Sequence, residues 1–79
     1  MKSELPDKLS QIFRIILELS DDADTSKIRR INHARWDSLA NVTLVTALQS
    51  EFGITLDFKE IERLSSYQAT LLLLQEKLE

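Results

Sequence analysis

Seventy-nine residues, 43% of them hydrophobic and 29% charged, suffice for one folded domain with a single core and are too apolar for a disordered chain. The absence of cysteine excludes a disulfide framework, a cysteine metal site and a thiol nucleophile. A net charge of −3 gives no support to nucleic-acid binding, and no apolar run approaches membrane-spanning length.

Met1-Lys2-Ser3-Glu4 leads into no signal-peptide core, so a cytoplasmic chain forming one domain over residues 1–79 is expected. One glycine and one proline, with few β-patterned stretches, predict helices throughout. From Leu5 to Leu19 the apolar positions Leu5, Leu9, Ile12, Phe13, Ile16 and Leu19 trace one helical face. Ser3 is a candidate cap, and Pro6 falls in the first turn, where a missing N–H costs little. Asp21, Asp22 and Asp24 would oppose the dipole at a helix C-terminus, so the helix should end before them. These aspartates lack the glycine and distal glutamate of a calcium loop, and no metal site is assigned. Ile28 and Ile31 are the expected anchors of the long connection that follows. Lys27, Arg29, Arg30, His33 and Arg35 read as a solvated basic stretch, and His33 has no partner for a metal or catalytic role. Trp36 should buttress this loop against the next helix.

That helix runs from Leu39 to Phe52, with Asp37 or Ser38 as N-cap and Gly53, the only glycine, at the closing left-handed position. Projection at about 100° per residue places Val42, Val45, Leu48 and Phe52 on the core arc, with Leu44 at its edge. Leu39 falls outside that arc, and Thr43 and Thr46 lie on the outer face near it. Ile54 and Leu56 continue inward along an extended link. Asp57 and Glu60 form a capping-box pair that opens a short helix from Phe58 to about Arg63, with Ile61 and Leu64 turned to the core. Ser65 and Gln68 repeat that chemistry for a last helix, Ser66 to Leu78, whose inner stripe is Leu71, Leu74 and Leu78. Tyr67, Ala69, Leu72 and Leu73 fill around it. The result is an all-α fold: a small four-helix bundle with three longer helices, one short helix and a long first loop.

Asp37-Ser38-Leu39, a helix of this length, Glu51-Phe52-Gly53-Ile54 and a last helix opened by Ser65-Ser66-Tyr67-Gln68-Ala69 together resemble the acyl carrier proteins, over about Leu5 to Leu78. The resemblance implies that a phosphopantetheinyl transferase attaches 4′-phosphopantetheine covalently to Ser38. It implies also that the thiol of this arm carries acyl groups as thioesters. An acyl-loading ligase or acyltransferase and downstream synthase enzymes would be the further partners of a monomer that is not itself an enzyme. Asp37 matches the family's aspartate that orients the transferase, and Leu39 its partner-contacting leucine, with Thr43 and Thr46 beside them. Val42, Val45, Leu48, Ile61, Leu64 and Leu71 would line an acyl pocket, or else form plain core. No acid–histidine pair is apparent that would activate Ser38 as a hydrolytic nucleophile.

One departure bears on the partners. Fatty-acid-synthesis carriers resembling this chain present several carboxylates along the helix after the serine, whereas here Glu51 is the only acid among Ala40, Thr43, Thr46, Gln49 and Ser50. The expectation is a dedicated carrier of a specialised pathway: polyketide, lipopeptide or surface glycan. The alternatives are a peptidyl carrier, disfavoured by Arg35-Trp36-Asp37 where glycines would stand, and a cofactor-free helical interaction module.

Overall fold

The computed structural model describes residues 4–78. Four α-helices follow one another: α1 (Glu4–Ile16), α2 (Ser38–Phe52), α3 (Phe58–Glu62) and α4 (Tyr67–Leu78). A 3₁₀ turn, Arg30–Asn32, interrupts the long first connection. No strand occurs among the described residues; one antiparallel bridge joins Arg29 to Ser66. The architecture is the small all-α bundle expected. The proposed cap Ser3 lies outside the described residues.

Helix α1 ends at Ile16, three residues earlier than its apolar period predicts. Glu18 adopts a left-handed conformation with φ of 57°. Its amide bonds the Ile15 carbonyl at 3.3 Å, and the Leu19 amide bonds the Arg14 carbonyl at 2.8 Å, a Schellman closure. Leu17 and Leu19 still turn inward after the helix has stopped, which is why the periodicity overran it. The Arg14 guanidinium then holds the loop back through two bonds to the Ala23 carbonyl, from Nε at 3.0 Å and Nη2 at 2.9 Å.

Further along this loop Thr25 is buried and paired with Ser10 Oγ at 2.8 Å, and Ser10 reaches Tyr67 Oη at 3.0 Å. The Tyr67 hydroxyl donates to the Pro6 carbonyl at 3.0 Å, so Ser10 must donate to Tyr67 and Thr25 to Ser10. Ile28 is buried as expected, with its carbonyl accepting from the Tyr67 amide at 2.9 Å. Ile31 is not an anchor: it is 87% exposed. The bridge turns Ile28 inward, and the 3₁₀ turn that begins two residues later swings Ile31 to the outside.

In α2, Leu44 and Leu48 are buried and Val45 and Phe52 half-buried, but Val42 is 62% exposed and not part of the core. Apolar residues lie almost all round this helix, so its period does not pick a face. The side packed on α1 is the Leu44–Leu48 side, and Val42 projects about 160° from Leu44. Gly53 takes φ of 62° and ends the helix as predicted. Gln49 Oε1 accepts the Leu56 amide at 2.8 Å, tying the following link to α2.

The capping box of α3 forms as read, with Glu60 N–H donating to Asp57 Oδ1 at 2.8 Å and Asp57 N–H to Glu60 Oε1 at 3.0 Å. The α4 cap moves by one residue: Ser66 Oγ, not Ser65, accepts the Ala69 amide at 3.0 Å. The buried stripe of α4 is Tyr67, Thr70, Leu73 and Leu74, in place of Leu71, Leu74 and Leu78. Leu71 is half-buried, and Leu72 and Leu78 are exposed. Thr70 can sit at the centre of the core because its hydroxyl donates to the Ser66 carbonyl at 2.8 Å.

Two ion pairs clamp the second half. Lys77 Nζ meets Glu60 Oε2 at 2.8 Å, and the Arg63 guanidinium meets both oxygens of Glu76 at 3.2 and 3.0 Å. The Lys77 bond, then the Asp57 amide, holds the Glu60 carboxyl below its ordinary value of 4.5, and Arg63 does the same for Glu76. A depressed carboxylate stabilises the fold above its unfolded value and loses that contribution as pH falls through the folded one. Thermal melts across about pH 7 to pH 3 should therefore be flat above roughly pH 5 and decline below it, and Glu60→Gln with Glu76→Gln should flatten the decline. An unchanged acid slope in the double variant refutes the clamp.

Candidate functional site

The approach to α2 is fixed by Trp36. Its indole is buried, meets the Phe13 ring edge-on at 5.2 Å and 86°, and donates from Nε1 to Asn41 Oδ1 at 2.9 Å. Its amide donates to the His33 carbonyl at 3.0 Å, closing the turn before it. The expected buttress is present, and it leans on α1 as well as α2.

Asp37 follows in extended conformation and caps the helix: its Oδ1 accepts the Ala40 amide at 2.9 Å, and its carbonyl accepts the Asn41 amide at 2.9 Å. Of the two cap candidates Asp37 therefore does the capping, and Ser38 is the first residue of α2. Ser38 is exposed, and no hydrogen bond engages its hydroxyl among the described residues. It stands where the first-turn amides point outward at the positive end of a 15-residue helix, a favourable setting for an anion.

Leu39 is 76% exposed, and Thr43, whose hydroxyl donates to the Leu39 carbonyl at 3.1 Å, and Thr46 are exposed with it. Val42 joins this outer face, a position the sequence reading gave to the core. Leu48 and Leu64 are buried, and Val45, Ile61 and Leu71 half-buried, so Val42 stands apart from the other five residues with which it was grouped.

On the α1 side of Ser38 a cleft of about 300 Å³ opens among Ile16, Glu18, Arg35, Asp37, Leu39, Ala40 and Thr43. The Arg35 guanidinium crosses to Glu18 at 3.2 Å, both side chains largely exposed. Nothing in the sequence points to Glu18 here, because its place depends on the left-handed turn that ends α1. His33 is half-buried with Nδ1 shielded and unpartnered. In the acidic loop Asp24 accepts from the Ser26 hydroxyl at 2.7 Å and amide at 2.9 Å, which holds its carboxyl below the ordinary range. Among the described residues no three His, Asp or Glu side chains converge on a metal-sized space.

No family model matches the chain. It is 34% identical to the acyl carrier protein of Petrotoga mobilis over 77 residues, spanning 98% of this chain and 91% of that protein. It is 30% identical to the chloroplastic acyl carrier protein 5 of Arabidopsis thaliana over 76 residues, 96% of this chain and 55% of that protein.

The cap assignment is directly measurable. Asp37→Ala should cost about 1 kcal/mol of unfolding free energy in urea titration, a fall in Tm of roughly 5 °C, whereas Asp37→Asn should stay close to wild type. Equal losses in both variants would show that Asp37 does not act through its cap bond.

Proposed function

The chain belongs to the acyl carrier protein family, and we propose that it works through a 4′-phosphopantetheine arm attached at Ser38. Members of this family carry acyl groups for other enzymes and do not transform them. The observation that carries the assignment to Ser38 is the division of labour at the α2 N-terminus. Asp37 satisfies the Ala40 amide, so the Ser38 hydroxyl is exposed and owes nothing to the fold. A phosphodiester on that oxygen would sit against outward amides and the helix dipole, which fits the chemistry of the group.

When attached, the arm supplies a terminal thiol that holds an acyl group as a thioester. The protein's own residues supply position. Trp36 anchors the site to α1, and Asp37 fixes the first turn. In this reading residues 1–79 act as one monomeric, cytoplasmic carrier domain. The phosphopantetheinyl transferase reads Asp37 and Leu39, and an acyl-loading ligase or acyltransferase and later synthase enzymes contact Leu39, Thr43 and Thr46. Tethering raises the acyl group's effective concentration at each of these enzymes. Val45, Leu48, Ile61, Leu64 and Leu71, packed in or against the core, are the proposed lining of a shelter for a cargo chain. Val42 is assigned instead to the outer face, because it is 62% exposed.

The same reading places the chain in a specialised pathway, polyketide, lipopeptide or surface glycan, and not in bulk fatty-acid synthesis. From Ser38 to Ser50 α2 carries no charge, and Glu51 at its far end lies 4.0 Å from Lys8 of α1. Intact-mass measurement after incubation with coenzyme A and a broad phosphopantetheinyl transferase should show one phosphopantetheinyl addition in the wild type and none in Ser38→Ala. A bare wild type, or a loaded Ser38→Ala, refutes the site. The loaded chain should also serve a fatty-acid-synthase ketosynthase poorly, and efficient turnover in that exchange assay would refute the specialised assignment.

A further inference from the structure

We infer that the face around Ser38 docks an enzyme surface that is itself acidic and has an apolar recess, a partner chemistry that deepens the carrier reading and rests on it. Charge in this chain is segregated. The stretch from Lys27 to Ser50 holds Lys27, Arg29, Arg30 and Arg35 against Asp37 alone, a net charge of +3. The whole chain carries −3, so the remaining residues carry −6. Along the sequence, the serine therefore lies within the positive pole of an acidic chain.

Within that pole the charges are not equivalent. Asp37 is engaged by the Ala40 amide and Arg35 by Glu18. Arg29 and Arg30 are exposed and form no ion pair among the described residues. They are mounted on a fixed support. The Arg30 amide donates to the Ser65 carbonyl at 2.9 Å, and the Arg29 amide donates to Asn32 Oδ1 at 3.1 Å. A cleft of about 480 Å³ is lined by Arg29, Arg30, Ile31, Ser65 and Ser66. Ile31, 87% exposed, follows the two arginines in the 3₁₀ turn as an apolar knob.

These groups can share one footprint with Ser38. Ser38 is seven positions after Ile31, at most about 25 Å of fully extended chain, and the Trp36-to-His33 turn shortens that span. A standard interface covers about 800 Å² per partner, on the order of 30 Å across. Leu39 at 76% exposure and Val42 at 62% supply a second apolar element without any charge on their helix face. Apolar side chains with a cationic rim match a partner with an apolar recess and a carboxylate rim. The acidic remainder of the chain repels an extended polyanion such as an anionic membrane, which favours a localised acidic patch on a protein.

The test uses the unloaded, ¹⁵N-labelled chain, so its result is independent of whether Ser38 accepts the arm. The probes are two amphipathic helical peptides of about 20 residues, long enough to hold a helix, with leucine on one face and either glutamate or lysine on the other. The glutamate peptide should shift the amides of residues 29–31 and 38–43, with affinity falling roughly tenfold between about 50 and 300 mM salt. In Arg29→Glu with Arg30→Glu, whose side chains are exposed and whose backbone bonds remain, that affinity should fall at least as far and the lysine peptide should gain. Equal or tighter binding of the lysine peptide to the wild type, shifts confined to other surfaces, or no shift with either peptide overturns the inference. So does an equal response of the same amides to phosphatidylglycerol vesicles.

Discussion

The burial of one indole governs the geometry of everything at the functional end. Trp36 lies edge-on to Phe13, and Phe13 in turn meets the Tyr67 ring at 5.4 Å and 74°. A single ring of α1 thus joins the residue before the α2 cap to the first residue of α4. Each such pair contributes about 0.5–1.5 kcal/mol beyond its area burial. The indole N–H cannot be buried without an acceptor, and Asn41, one turn into α2, provides it. Because Ser38 is two residues from Trp36, that bond and that ring contact fix the start of the helix on which the hydroxyl is displayed.

The rest of the first connection is held by polar groups. Twenty-one residues separate Ile16 from Ser38, a long loop for so small a fold. It is held in place because its buried polar atoms, His33 Nδ1 apart, find partners. Thr25, Ser10, Tyr67 and the Pro6 carbonyl form a directional relay, and Arg14 satisfies the Ala23 carbonyl. The bridge to Ser66 stitches the loop to the α3–α4 link. Tyr67 serves both systems, its ring on Phe13 and its hydroxyl in the relay, so loop and core are coupled through one side chain.

What could be read from the sequence follows from which forces are local. Caps and closures are short-range chemistry, so Gly53, the Asp57–Glu60 box and the extent of α2 were legible. The faces of α2 and α4 were not, because both helices carry apolar residues on most sides, and tertiary contact alone decides which are covered. Val42 and Leu78 were therefore assigned inward and lie outward, while Thr70 was passed over although it is fully buried. Its hydroxyl is satisfied by its own helix, and a pattern of apolar positions cannot register that. Ile31 and Glu18 fell outside reach for other reasons: the turn at Ile31 is set by Ser65 and Ser66, far along the chain, and Glu18 takes a left-handed conformation with no glycine to signal it. At the site, the sequence offered Asp37 and Ser38 as equal caps, and only the side-chain geometry separates them.

That separation determines what the site can do. A serine serving as cap would have its hydroxyl committed to an amide, and withdrawing it would weaken the helix by about 1 kcal/mol. With the cap delegated to Asp37, the hydroxyl can be altered without disturbing any bond that folds the chain. Among the described residues no group beside it is arranged to remove its proton: His33 keeps its backbone carbonyl bonded to Trp36 and its Nδ1 shielded, and Asp37 faces the Ala40 amide. On the proposed assignment the reactivity comes from a visiting enzyme, and the exposed Leu39 and Val42, one turn apart on a helix whose Leu44 and Leu48 are buried, would be the surface such a visitor meets first. An inert, rigid and accessible serine is what a carrier requires, since any chemistry of its own would compete with that of its partners.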